Sequence, residues 1–443
     1  MKQYWNILLS LTLVSSLVSC SVSHQIKRSA SQSLLTQPAL NQAHVGVSIY
    51  DPVTKKYWYG HQADKYFVPA SNTKIPTCYA AMKYLGDSIL SAYLLDSANV
   101  LYIRPAGDPT FLLPEFSTQP LLNRIKSTAK EVVLELSTQH DFSAYGSGWS
   151  WDDFQEAYLA ERSALPIYGN VINFYNRNNA LAATPSLALR SPFMNEALIQ
   201  QVGKGGKFQV ERQQDQNLFR LSPSTRVFTK AVIPFKTLQG VTSFTFLKDT
   251  VERMGLACNV RVVSETPNGQ PLFSIPTDSL LKPLMHRSDN FFAEQSLLMV
   301  SQRLLGKMDD GAVIDTLLKK DFADLPQRPR WADGSGLSRY NLFTPQDFVR
   351  ILEKMKNEFG MDRIKTIFPK GGVGTLSNYY TNNGDYIYAK TGTLSGVVSL
   401  SGYLYTRKGK LLLFSALVNN HQSSATEIRR LVEKFLLGIR EKY

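Results

Sequence analysis

Three short motifs follow one another in this chain: Ser71-Asn72-Thr73-Lys74, Ser288-Asp289-Asn290 and Lys390-Thr391-Gly392. If they act together, the fold must bring two helix starts and the end of a strand to one point. About 200 residues lie between the first serine and the second, enough for a further domain. Together the motifs would supply a serine nucleophile, a lysine to take its proton, a polar shuttle and a cationic clamp for a carboxylate.

Alone, each motif says little. Ser-x-x-Lys recurs at Ser127-Thr128-Ala129-Lys130 and Ser279-Leu280-Leu281-Lys282, and Ser-x-Asn recurs at Ser97-Ala98-Asn99, whereas Lys-Thr-Gly occurs once. Their settings separate them. Val45 to Tyr50 and Lys56 to Tyr59 read as a strand hairpin turned at Asp51-Pro52. Ser71 to Leu85 reads as a helix closed by Gly86, with Ile75, Tyr79, Met82 and Leu85 on one stripe. Pro76 lies late for a first turn, so distortion near Ser71 is expected. Residues after Asn290 read as a helix, with an ordinary Ser/Asp/Asn cap as the plain explanation of the second motif. Tyr386 to Ala389 is a strand leading into Lys390. Val397 to Tyr405 and Leu411 to Val418 are further strands, followed by an amphipathic helix, Thr426 to Leu437, with Ile428, Leu431, Phe435 and Leu436 on its apolar face.

Residues i and i+3 of a helix share a face, so Lys74 is expected within reach of the Ser71 hydroxyl. A serine needs such a base, and a lysine serves only if burial or a second cation, here Lys390, lowers its pKa. Ser288 can relay the proton to the leaving amine. Asn290 can bond a substrate amide and the Lys74 amine. Lys390, Thr391 and Thr393 suit a terminal carboxylate, and Gly392 is expected to let a substrate backbone approach. The backbone N–H groups of Ser71 and Thr393 are expected to form the oxyanion hole.

The ends and middle of the chain differ. Met1-Lys2 precedes an apolar run, Ile7 to Val18, too short to span a bilayer and suited to a signal peptide. It ends in Leu17-Val18-Ser19-Cys20, which resembles a bacterial lipobox with Cys20 as the lipidated residue. Residues 1–20 are therefore read as a lipoprotein signal, and 21–42 as a tether or a loosely packed lead-in helix. The catalytic unit is expected over 43–92 and 266–443. Between them, 93–265 reads as a β-rich insertion with short strands at Asn99 to Ile103, Val132 to Leu136, Val171 to Phe174, Phe208 to Val210 and Arg226 to Val232. Cys78 and Cys258 have no zinc spacing and are expected as free, buried thiols. The formal net charge of +13 is scattered, without a Lys/Arg run or nucleic-acid motif, so no nucleic-acid partner is expected.

The ordered motifs resemble the D-alanyl-D-alanine carboxypeptidase/endopeptidase family of low-molecular-mass penicillin-binding proteins, the type with a large insertion. Further local matches are Val68-Pro69-Ala70-Ser71, Gly107-Asp108-Pro109-Thr110, Gly148-Trp149-Ser150-Trp151-Asp152-Asp153, Asp333-Gly334-Ser335-Gly336-Leu337-Ser338-Arg339 and Gly374-Thr375-Leu376. The last two are read as turn architecture first. The resemblance implies an α+β fold: a transpeptidase domain like that of penicillin-binding proteins and serine β-lactamases, with an antiparallel sheet flanked by helices and split by the β-rich insertion. It implies that Ser71 attacks D-Ala-D-Ala stem peptides of peptidoglycan and is acylated by β-lactams, with no metal or organic cofactor; the N-terminal signal, read separately, places the chain on the periplasmic side of the envelope, anchored through Cys20. Some members of the family also cut crosslinks as endopeptidases; an insertion of about 170 residues is short for the subdomain some of them carry.

A class A β-lactamase of the same fold would need a Glu-x-x-Leu-Asn motif between Asn290 and Lys390. None is present, and Glu353 to Asn357 has the wrong spacing. An esterase of this fold and a catalytically silent wall-binding lipoprotein are further alternatives. His286, beside the second motif, is read as a structural or exposed histidine, because Lys74 fills the role of base.

Overall fold

The first and last parts of the chain share one sheet. In the computed structural model, which describes residues 22–127, 131–136, 141–177, 180–195, 207–256 and 259–443, the hairpin β1 (His44–Asp51) and β2 (Lys56–His61) comes before ten strands of the middle region. These are β3 (Ser88–Ser97), β4 (Val100–Pro105), β5 (Glu131–Glu135), β6 (Val171–Arg177), β7 (Ala180–Thr184), β8 (Phe208–Arg212), β9 (Phe219–Pro223), β10 (Lys230–Pro234), β11 (Asn259–Val263) and β12 (Gln270–Pro276). The chain closes with β13 (Ile387–Leu394), β14 (Val397–Tyr405) and β15 (Leu411–Asn419). The catalytic sheet has the order β13-β14-β15-β1-β2, antiparallel throughout.

Along β15 the side chains alternate between two cores, as a strand buried on both faces requires. Leu413 and Leu417 face one core, Leu412, Phe414, Ala416 and Val418 the other. The first core is filled by α1 (Lys74–Tyr84), α4 (Thr277–His286), α5 (Asn290–Leu305), α6 (Asp310–Lys320) and α7 (Pro345–Ile367); α2 (Pro120–Ser127) and α3 (Val241–Arg253) belong to the middle region. The second core is closed by α8 (Ala425–Lys442). Its Ser424 cap accepts a hydrogen bond from the Glu427 N–H, and Ile428, Val432, Phe435, Leu436 and Ile439 are buried. Val432 takes the deeper place expected for Leu431, which is half-buried. Burying side chains of this size contributes roughly 1.5–3 kcal/mol each.

The lead-in is helix rather than tether. Residues 22–35 are helical, and Ile26, Ala30 and Leu34 pack into the core beneath α8. Cys20 and Cys258 lie outside the described residues; Cys78 is a buried, free thiol whose burial holds its pKa up. Among the described residues no helix is long and apolar enough to cross a membrane.

The middle region has its own core, built from a five-stranded sheet of order β11-β5-β4-β3-β12, smaller sheets β10-β6-β7 and β8-β9, and α2 and α3. Its outer strands begin at Ser88 and end at Pro276, so a division at 92/93 cuts β3. Ser97-Ala98-Asn99 is the β3–β4 turn, with Ala98 and Asn99 at positive φ.

Candidate active site

The nucleophile motif is not one continuous α-helix. Ala70–Thr73 forms a 3₁₀ turn, and α1 starts at Lys74. Pro76 thereby falls in the first α-turn, where its missing N–H leaves no bond unmade. Ala70 sits at φ 47°, in the left-handed region that costs a non-glycine residue energy. The turn is held from three sides. The Ser399 hydroxyl donates to the Pro69 carbonyl at 2.7 Å. The Asn72 amide nitrogen donates to the Lys390 carbonyl at 2.7 Å, with its oxygen facing Ser401. Gly336, at φ +85°, packs where a Cβ would lie 1.9 Å from the Ala70 carbonyl oxygen.

These contacts bring the three motifs together. Lys74 Nζ donates to Ser71 Oγ at 3.1 Å, to Asn290 Oδ1 at 2.6 Å and to the Ser335 carbonyl at 2.6 Å. Ser71 is half-buried and Lys74 fully buried. Burial lowers the Lys74 pKa to about 8, against the opposing pull of Asp333, Glu294 and Asp289. The second cation expected to lower it, Lys390, is itself held well below the ordinary lysine range by burial and by repulsion from Lys74 and Arg429. Desolvation is therefore what brings the Lys74 pKa down.

The second motif opens α5. Asp289 caps the helix by accepting from the Phe292 N–H at 2.9 Å. Ser288 is held at φ 62° just before it, half-buried. Asn290 uses its oxygen on Lys74 and its nitrogen on the Tyr158 carbonyl at 3.0 Å, which leaves one amide proton for a substrate. In the third motif, Lys390 Nζ donates to the Thr391 carbonyl at 2.7 Å. Thr393 lies exposed at the strand's end and accepts a hydrogen bond from Arg429. The space above the Gly392 Cα is filled by the protein itself, not kept for substrate. A Cβ there would meet Ser399 Oγ at 2.2 Å, the Pro69 carbonyl at 2.8 Å and the Ser71 nitrogen at 2.9 Å. Gly392 thus lets β13 lie against the nucleophile turn, beside the Ser71 nitrogen.

Other expected segments take structural places. The Asp333 carboxylate gathers the N–H groups of Gly336 (2.8 Å) and Ser338 (2.6 Å), the Asn341 amide (2.7 Å) and the Trp149 indole N–H (2.9 Å). That is turn architecture, yet the same loop also presents the Ser335 carbonyl to Lys74. Gly107 is tied to α5 through Gln295. Gly374 packs on the His286 carbonyl, and His286 is half-buried, with burial lowering its pKa. Lys130 lies outside the described residues, and Lys282 is exposed.

Sequence reasoning missed the support beneath the lysine. Glu294, fully buried on α5, accepts the Ser335 N–H at 2.7 Å. Its pKa is raised to about 7 by burial and by Asp333, against Arg162. Arg162, from the middle region, is 3.4 Å from Glu294 and 2.7 Å from Asp310. No motif marks Glu294 or Arg162; the one available signal was the matched segment 333–339, read as turn architecture.

The α+β architecture, split by a second core and carrying a Ser/Lys pair under a Lys-Thr-Gly strand, is that of penicillin-binding proteins. The chain belongs to the D-Ala-D-Ala carboxypeptidase 3 (S13) family, whose profile matches residues 28–436. It is 26% identical to the D-alanyl-D-alanine carboxypeptidase DacB of Haemophilus influenzae, over 95% of this chain and 94% of that one. It is 25% identical to the D-alanyl-D-alanine carboxypeptidase of an Actinomadura strain, over 88% and 80%. The crystal structure of penicillin binding protein 4 (dacB) from Haemophilus influenzae shares the fold with a TM-score of 0.69, at 20% identity over 94% of this chain and 98% of that one. A predatory peptidoglycan endopeptidase from Bdellovibrio bacteriovorus matches at 0.51, with 15% identity over 90% and 93%.

Proposed function

We propose that this chain is a serine D-Ala-D-Ala carboxypeptidase acting on peptidoglycan stem peptides through an acyl-enzyme at Ser71. The observation that carries the reading is the buried Lys74 amine, 3.1 Å from Ser71 Oγ with its pKa lowered to about 8. Lys74 takes the hydroxyl proton as Oγ bonds to the carbonyl carbon of the penultimate D-alanine. The N–H groups of Ser71 and Thr393 receive the oxyanion. The C–N bond breaks, Ser288 passes a proton to the departing D-alanine, and water hydrolyses the ester to free Ser71. Lys390, Thr391 and Thr393 hold the substrate's carboxylate. β-Lactams enter by the same acylation. Export, with a lipid anchor at Cys20 on the periplasmic side of the envelope, belongs to the same reading, as does a β-rich inserted domain.

The test is labelling of the mature chain with a fluorescent penicillin, followed by mass spectrometry of the adduct. A lasting adduct on Ser71, absent in Ser71→Ala, is expected. Rapid drug turnover without an adduct would point to a β-lactamase, and no reaction would leave a silent wall-binding protein. Digestion of crosslinked muropeptides would reveal any endopeptidase activity beside it.

A further inference from the structure

Beside the Lys390 strand stands a cation without a counter-charge. Arg429, on α8, is half-buried; it donates to Thr393 Oγ1, and its guanidinium lies 5.9 Å from the Tyr379 ring centre. Its neighbour Arg430 stacks on the same ring at 4.6 Å, but Arg430 pairs with Glu433 at 2.6 Å and donates to the Asn378 carbonyl. Among the described residues Arg429 pairs with no carboxylate, and its Nε is buried without an acceptor. Beneath it lies only a small apolar void of about 10 Å³ lined by Leu376, Tyr379, Leu400 and Val432, so a ligand reaches the guanidinium from the side of Thr393, which is exposed. A half-buried guanidinium with an orphaned N–H is unfavourable until an anion reaches it.

Lys390 is not the only cation beside the strand. Burial, Lys74 and Arg429 all push the Lys390 pKa down, whereas a guanidinium holds its charge more firmly than an amine. The hydrogen bond to Thr393 Oγ1 also leaves the threonine proton free to point at a ligand. A planar donor fork beside that hydroxyl matches a carboxylate.

We propose that Arg429 determines specificity for a free C-terminal carboxylate, selecting peptides that end at the leaving residue over peptides that continue beyond it. This rests on the reading of Ser71 as the nucleophile.

The test uses two thioesters of the same acyl-D-alanine, one with mercaptoacetate as leaving group and one with its methyl ester. Both carbonyls are activated, so thiol release is measurable for each. Arg429→Gln is expected to lower kcat/KM about 10- to 100-fold on the free acid, chiefly through KM, and to leave the methyl ester unchanged. Arg429→Lys should restore part of the loss. Unaltered melting of both variants would show that the fold is intact. Equal losses on both thioesters, or no loss on the acid, would overturn the proposal. Full activity of Ser71→Ala on both would instead remove the nucleophile reading beneath it.

Discussion

At the scale of single residues, the site turns on how one buried amine is kept near neutrality. Burial pulls the Lys74 pKa down, while Asp333, Glu294 and Asp289 pull it up, and the balance lies at about 8. A general base works in its neutral form, so kcat/KM for acylation should rise as pH climbs through about 8. Glu294, with its own pKa raised to about 7, carries its charge above that pH and there supports the protonated lysine. Glu294→Gln keeps an oxygen for the Ser335 N–H but removes the charge. The rise in acylation should therefore move to lower pH, followed with a chromogenic cephalosporin across pH 5.5 to 10. An unmoved or raised midpoint would mean that Glu294 serves only to hold the loop. The sequence motifs led to Ser71, Lys74 and Lys390 because each motif is local. Glu294 escaped because it acts on Lys74 from a position far along the chain, and a carboxylate facing a lysine in space has no spacing to read; the segment that holds Asp333 was marked, but as turn architecture.

At the scale of elements, the strands and α8 were legible from local pattern. β14 and β15 are short, almost continuously buried runs, and a stripe at helical spacing marks α8. The turn before α1 was harder to read. Its 3₁₀ geometry is imposed by Ser399, Asn72 and Gly336, contacts made across long sequence separations. α5 shows what such contacts are worth. It is buried nearly all round from Phe291 to Ser301, and its fully buried Gln295 serves the backbone of the middle region. The Gln295 oxygen accepts the Ser163 N–H at 3.0 Å, and its nitrogen donates to the Gly107 and Ser163 carbonyls, both at 2.9 Å. Gln295→Met keeps the bulk and orphans all three groups. At about 1–3 kcal/mol for each unsatisfied buried group, the urea midpoint should fall well below that of the parent chain. A variant as stable as the parent would mean that water replaces the amide.

At the scale of the whole molecule, the middle region is part of the active site's support. Trp149 bonds the Asp333 carboxylate, the Tyr158 carbonyl holds Asn290, and Arg162 reaches Glu294 under the loop that faces Lys74. Its short strands were legible in the sequence; its grip on the loop that faces Lys74 was not, because that grip rests on two side chains and one backbone carbonyl with no common pattern. The Arg162–Glu294 pair, 2% and 1% exposed, allows the grip to be measured. Arg162→Met leaves Glu294 buried without its cation, a change that costs about 3–5 kcal/mol when one partner of a buried pair is lost. Asp310, at 18% exposed, can turn to water instead. Adding Glu294→Gln removes the stranded charge, so the double variant should be more stable than Arg162→Met alone, and the coupling read from the cycle should be at least about 1 kcal/mol. Urea unfolding of the four chains decides the point. Strictly additive losses would mean that the two regions are held together by their apolar contacts, with the ion pair making no net contribution.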